Sequence, residues 1–210
     1  MSRRALLLTG AACAVGCALV YLVSVHTAPG RGADEWLRLR VVVGLDWFEP
    51  VGELLRRVFP LLLAAVVVML GVLALVRRRW AAVTTALLVV AVSTVAAYGL
   101  RQVLDRPGAG TGLSGGPDVN TFPSTHVAAT TALVLAVVLL WPRDPTPAVL
   151  TGAAFLVVAA ALGSVVNHAH RPGDVVGSVL LVAAVTATAL GVLGRGAVRR
   201  GRLPGARDRG

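Results

Sequence analysis

Residues 58–76 read VFPLLLAAVVVMLGVLALV, nineteen positions without a charge, and Arg77-Arg78-Arg79 follows at once. As a helix this run is about 28 Å long, close to the ~30 Å hydrocarbon core of a bilayer. A charged cluster directly after it is what a membrane helix shows where it leaves the bilayer. Similar apolar blocks occupy 5–25, 81–100, 127–141, 148–166 and 175–194. Of the 210 residues, 56% are hydrophobic and 14% charged, against about 25% charged in a soluble domain. A soluble enzyme, a disordered chain and a secreted disulfide scaffold are all excluded. The expected fold is all-α, a polytopic membrane bundle of six transmembrane helices.

The formal charge of +10 comes from twenty arginines and no lysine. With six alternating helices and both termini cytoplasmic, the inner segments carry twelve of those arginines and two acids, Asp144 and Asp208. The outer segments carry eight arginines and eight acids. Arginine enrichment on one side is the positive-inside signature, so the basicity reports topology, with some attraction to anionic lipid. The basic tail has no aromatic residues for base stacking, and nucleic acid is not an expected partner. Cys13 and Cys17 lie one turn apart within the first block and read as packing residues. That block follows Ser2-Arg3-Arg4, but it exceeds a normal signal-peptide core and no small-x-small site follows Val25, so a retained helix is expected.

One domain is expected over 1–194, with helices at about 5–25, 58–76, 81–100, 124–141, 148–166 and 173–194, and a basic cytoplasmic tail over 195–210. The turns Arg77–Trp80 and Pro142–Pro147 are short, which makes the helices they join antiparallel neighbours. Residues 26–57 mix Trp36, Trp47 and Phe48 with charges, as amphipathic segments in an interface do. Small residues recur along the last helix at Gly173, Gly177, Ala183, Ala187 and Gly191, so close helix contacts are expected.

Three stretches place ionisable groups at ends of these helices, and the alternation brings all three to one face. They are residues 100–107 (LRQVLDRP), 121–126 (TFPSTH) and 167–174 (NHAHRPGD). Ser124 after Pro123 is a good N-cap, and the free amides of Thr125 and His126 would suit an anion; Ser124 is equally a plain helix cap. His126, in the first turn, is placed for proton transfer near neutral pH. Asp174, four residues after His170, can orient one imidazole nitrogen and leave the other as nucleophile or base, or it can simply serve the helix N-terminus. Arg106 is suited to bidentate phosphate binding, or to a lipid headgroup at the interface.

In order and spacing these motifs resemble the type 2 phosphatidic acid phosphatase (PAP2) family, which includes undecaprenyl-pyrophosphate phosphatases and is related to vanadium haloperoxidases. That family carries K-x6-R-P, P-S-G-H and S-R-x5-H-x3-D. Arg106-Pro107 matches the end of the first, Pro123-Ser124-Thr125-His126 the second with Thr for Gly, and His170 and Asp174 the end of the third. The family's lysine position is Gly99 here, and its Ser-Arg pair is Gly163-Ser164. Arg101, His168 and Arg171 are the candidates to supply the missing charge.

The resemblance implies a phosphatase acting on a phosphomonoester or pyrophosphate of a lipid, phosphatidate-like or polyprenyl, at the outer face of the cell membrane. His170 would form a phosphohistidine, Asp174 would orient it and His126 would protonate the leaving oxygen. Arg106, Ser124, Thr125, Arg171 and Arg101 would bind phosphate, with no metal or other cofactor. Two other classes stay open. One is a non-enzymatic lipid-binding or transport protein with a degenerate site. The other is a metal-dependent hydrolase using His126, His168, His170 and Asp174.

Overall fold

The computed structural model describes residues 1–106, 120–194, 196 and 198. Pro107, the rest of the 107–119 segment and nearly all of the expected tail lie outside the described residues. The described residues form eight α-helices: α1 (Arg3–His26), α2 (Ala28–Gly44), α3 (Glu49–Arg57), α4 (Phe59–Val76), α5 (Trp80–Val103), α6 (Thr125–Leu140), α7 (Pro147–Val166) and α8 (Pro172–Leu193). A 3-10 turn over Asp46–Phe48 precedes α3, and there is no β-strand among the described residues.

The six expected apolar helices are therefore α1 and α4 to α8, with ends close to those expected. Helix starts are set by residues that satisfy free amides. Ser2, Thr27, Ser124 and Thr146 each accept a backbone N–H of the turn that follows. Proline in the first turn of α2, α3, α4, α7 and α8 pre-sets the helical angle without losing a hydrogen bond. The 26–57 segment folds as α2 and α3, short helices outside the apolar set.

Among the described residues five helices, α1, α4, α5, α7 and α8, are long and apolar enough to cross a membrane, so the expected count of six spans is not reached by length. The exception is α6, which has 16 residues and is about 24 Å long. It starts at the Ser124 cap and stops before Trp141-Pro142. Nine of its 16 residues are buried, and α4, α5, α7 and α8 all pack on it. A helix enclosed by protein does not have to match the bilayer itself, because its neighbours meet the lipid.

The core runs along this central helix: Ala128, Ala132 and Ala136 pack with Val89 and Ala86 of α5 and Val182 of α8. At the far end of α6 the buried Arg79 donates to the carbonyls of Leu139 (3.2 Å), Leu140 (2.9 Å) and Trp141 (3.0 Å). A guanidinium there satisfies last-turn carbonyls and opposes the helix dipole. Helices α1 and α8 pack most extensively. The small-residue spacing of α8 explains how: a Cβ on Gly191 would come within 2.8 Å of Leu7, and one on Gly173 within 2.8 Å of Ser24.

Candidate active site

The opposite end of the bundle gathers the end of α5, the start of α6, the α7–α8 turn and the start of α8. Each strand of chain is pinned. After α5, the Tyr21 hydroxyl of α1 donates to the Asp105 carbonyl (2.7 Å) and also meets His26 Nε2 (2.9 Å). Before α6, the Asn120 side chain accepts from Phe122 N (2.9 Å) and donates to Phe122 O (2.8 Å), closing a small loop. Ser124 Oγ accepts from Val127 N (3.3 Å), and the Phe122–Pro123 bond is cis. In the α7–α8 turn, His168 takes the left-handed conformation (φ 56°), and the amides of Ala169 and His170 both fold back onto the Ser164 carbonyl.

Asp174 is the hub. It is fully buried, and its Oδ1 accepts from Nη2 of Arg106, itself 1% exposed in its side chain. Oδ2 accepts from Thr121 Oγ1 (2.7 Å) and from the Arg171 amide (3.1 Å). His170 Nδ1 stands 3.7 Å from the same oxygen, within ion-pair range but beyond a hydrogen bond. Arg106, Thr121 and the Arg171 amide take three acceptor positions of the carboxylate, and His170 Nδ1 has no hydrogen-bond partner among the described residues. Nε and Nη1 of Arg106 are likewise buried without a partner. A buried guanidinium with two open N–H directions is what an anion site needs.

The amides of Thr125 and His126 make no hydrogen bond among the described residues, as expected for the first turn of a helix. His126 is exposed, and its ring is within electrostatic range of His170, Arg101, Arg56 and Glu53. The site residues placed by sequence therefore converge, with two qualifications. Arg101 donates Nε to the Asn120 carbonyl (3.1 Å), which fixes it beside the chain entering α6. Arg171 sits in the α8 cap, and its guanidinium faces Glu35 of α2 (Nε–Oε2 3.6 Å).

Sequence reasoning missed Thr121, inside a quoted motif but given no role, and the contribution of α2. Asp34 Oδ1 accepts the Gly173 amide (2.7 Å) and so caps α8 from another helix. Burial is the main influence on the Asp34 carboxyl and pushes it above its ordinary value, against the Gly173 hydrogen bond. Arg38 hydrogen-bonds Glu35, which holds that carboxyl below its ordinary value and raises the guanidinium's. Arg38 Nη1 also meets His168 Nδ1 (3.1 Å). His168 is therefore engaged by α2, and the described residues hold no group of three side chains able to bind a metal. The structure gives the four-ligand set of the metal-hydrolase alternative no support. An apolar groove of about 450 Å³, walled by Leu19, Val23, Leu37 and Val176, opens beside Asp34 and Gly173.

Membrane-length helices closing round a buried Arg–Asp–His cluster at one end are those of a multi-pass membrane protein. Residues 101–195 match the family model of the PAP2 superfamily, whose members are generally phosphatases. Over those residues the chain is similar to the PAP2 superfamily. Comparison with curated proteins and with solved structures gives no match.

Proposed function

We propose that this protein is an integral-membrane lipid phosphatase working through a phosphohistidine on His170. The observation that carries the reading is the buried Arg106 guanidinium, anchored by one nitrogen to Asp174 with its other two unpaired among the described residues. Phosphate oxygens would occupy those directions and the free amides at the start of α6, beside Ser124 and Thr125.

His170 attacks phosphorus with Nε2 while Nδ1–H faces the Asp174 carboxylate. The phosphorus–oxygen bond to the lipid breaks, and protonated His126 gives its proton to the leaving oxygen. Water then attacks the phosphohistidine, His126 takes its proton, and the nitrogen–phosphorus bond opens to release phosphate. Arg106 and the helix dipole neutralise the charge that develops on the equatorial oxygens, where most of the catalytic effect lies. The substrate's alkyl chain stays in the apolar layer beside the bundle, and the α1–α2–α8 groove is a berth of suitable character. The arginine asymmetry supports cytoplasmic termini and a site on the outer face.

The test is a leaving-group series on the His126→Ala variant. An activated ester such as a nitrophenyl phosphate needs little protonation, so its first-turnover burst of nitrophenol, which precedes the His126-assisted hydrolysis of the phosphohistidine, should be nearly as fast as in wild type. Alkyl phosphates should slow by about 10²–10⁴-fold. Equal slowing across the series would remove His126 as the acid.

A further inference from the structure

A bound phosphate carries up to two negative charges, yet the cations the sequence nominates are partly committed. Arg106 shares its charge with Asp174, Arg101 is bonded to Asn120, and Arg171 faces Glu35. Position 164, an arginine in the family motif, holds a buried serine whose carbonyl carries the His170 turn.

The space beside that position is taken by α3, an element the family motifs do not include. Gly52 lies against Gly163 so closely that a Cβ on either would come within 2.9 Å of the other's Cα. Asn167, three residues before His170, ties the two elements by donating to the carbonyls of Glu49 (3.2 Å) and Gly163 (2.9 Å). Both the serine-to-glycine change at 163 and the glycine at 52 are thus what lets α3 approach. One turn beyond Gly52 on the same face stands Arg56. Its side chain is 30% exposed, whereas that of its neighbour Arg57 is 75% exposed. Glu53 accepts from Arg56 Nε (3.2 Å), and neither Nη of Arg56 has a partner among the described residues. Arg56 also stands within electrostatic range of His126.

We propose that Arg56 is a substrate-binding residue of this site, supplying through α3 the phosphate-directed guanidinium that the chain lacks at position 164. Its Nη groups donate to the phosphate oxygens, and Glu53 is a positioning residue that sets the guanidinium's direction through Nε. This rests on the phosphatase reading above and adds to it a residue outside the family's motifs.

The experiment compares wild type with Arg56→Ala, Arg56→Lys and Arg57→Ala, purified in detergent. Two quantities are measured: KM against kcat for a lipid phosphate, and binding of inorganic phosphate by titration calorimetry. Arg56→Ala should weaken phosphate binding and raise KM by about tenfold or more, the range expected for a charge-assisted hydrogen bond. Arg56→Lys should keep part of the affinity, and Arg57→Ala should match wild type. Added guanidinium ion should restore part of the loss in Arg56→Ala, which a merely unfolded variant would not show. If Arg56→Ala binds phosphate as Arg57→Ala does, the assignment is overturned while the phosphatase stands. If wild type binds phosphate in an Arg56-dependent way without hydrolysing any lipid phosphate, the phosphatase reading falls and the binding site remains. If wild type binds no phosphate, both fall.

Discussion

Replacing Asp174 by Asn removes the charge opposite the buried Arg106 guanidinium. The two side chains are 0% and 1% exposed, so water cannot take the carboxylate's place without the packing opening. Breaking one partner of such a pair costs about 3–5 kcal/mol, because the remaining charge is left uncompensated. In a chain of this size, about 1 kcal/mol corresponds to roughly 2–4 °C in Tm, so the variant should unfold roughly 6–20 °C lower. Arg106→Met should fall similarly, since it strands the carboxylate. The double variant Arg106→Met/Asp174→Asn should recover much of the loss, as neither charge is then present. The assay is thermal unfolding of the four proteins in one detergent, followed by tryptophan fluorescence and treated as a double-mutant cycle. A helix end open to water would predict the opposite, near-normal folding for every variant. Asp174→Asn within about 2 °C of wild type, or losses that simply add, would refute the buried-pair reasoning.

Three further outcomes follow from particular contacts. A Cβ at Gly163 meets Gly52 at 2.9 Å, so Gly163→Ala should push α3 off α7, cost about 1–3 kcal/mol and loosen phosphate binding, as read by thermal unfolding and calorimetry. Asp34 has a carboxyl raised above its ordinary 3.8 by burial. Its contribution to stability is therefore full below that value and is lost as pH rises through the raised one. Asp34→Asn keeps an acceptor for the Gly173 amide and should flatten that part of the pH–stability curve; an unchanged curve would show that Asp34 is solvated. For topology, single cysteines at 118 and 206 in a variant lacking Cys13 and Cys17 should be labelled from opposite sides of the membrane. Labelling of both from one side would overturn the even number of crossings.

Much of the scaffold was legible because membrane helices announce themselves locally. Uninterrupted apolar runs, the Arg77–Arg79 exit and the Ser124 cap are contiguous signals, and the observed ends of α4 and α7 lie within one residue of those read from sequence. The convergence of Arg106, His126, His170 and Asp174 was also legible, since alternation of helices dictates which ends meet. What those groups do to one another was not. Arg106 and Asp174 are 68 residues apart, and no local spacing says that the arginine will share the carboxylate that His170 faces. The roles of α2 and α3 were hidden for a different reason. Their charges look like ordinary interfacial residues until Asp34 is found capping α8 and Gly52 is found against Gly163. The shortness of α6 could be counted, but that it is the enclosed helix follows only from its neighbours.

The most direct measurement is phosphate release by the purified protein from phosphatidate, phosphatidylglycerophosphate and a polyprenyl pyrophosphate, each with and without EDTA. Release from at least one of these lipids is expected, unaffected by EDTA and lost in a His170→Ala variant that still unfolds cooperatively. Release from none of them, or release that His170→Ala leaves intact, would contradict a phosphatase built on this cluster.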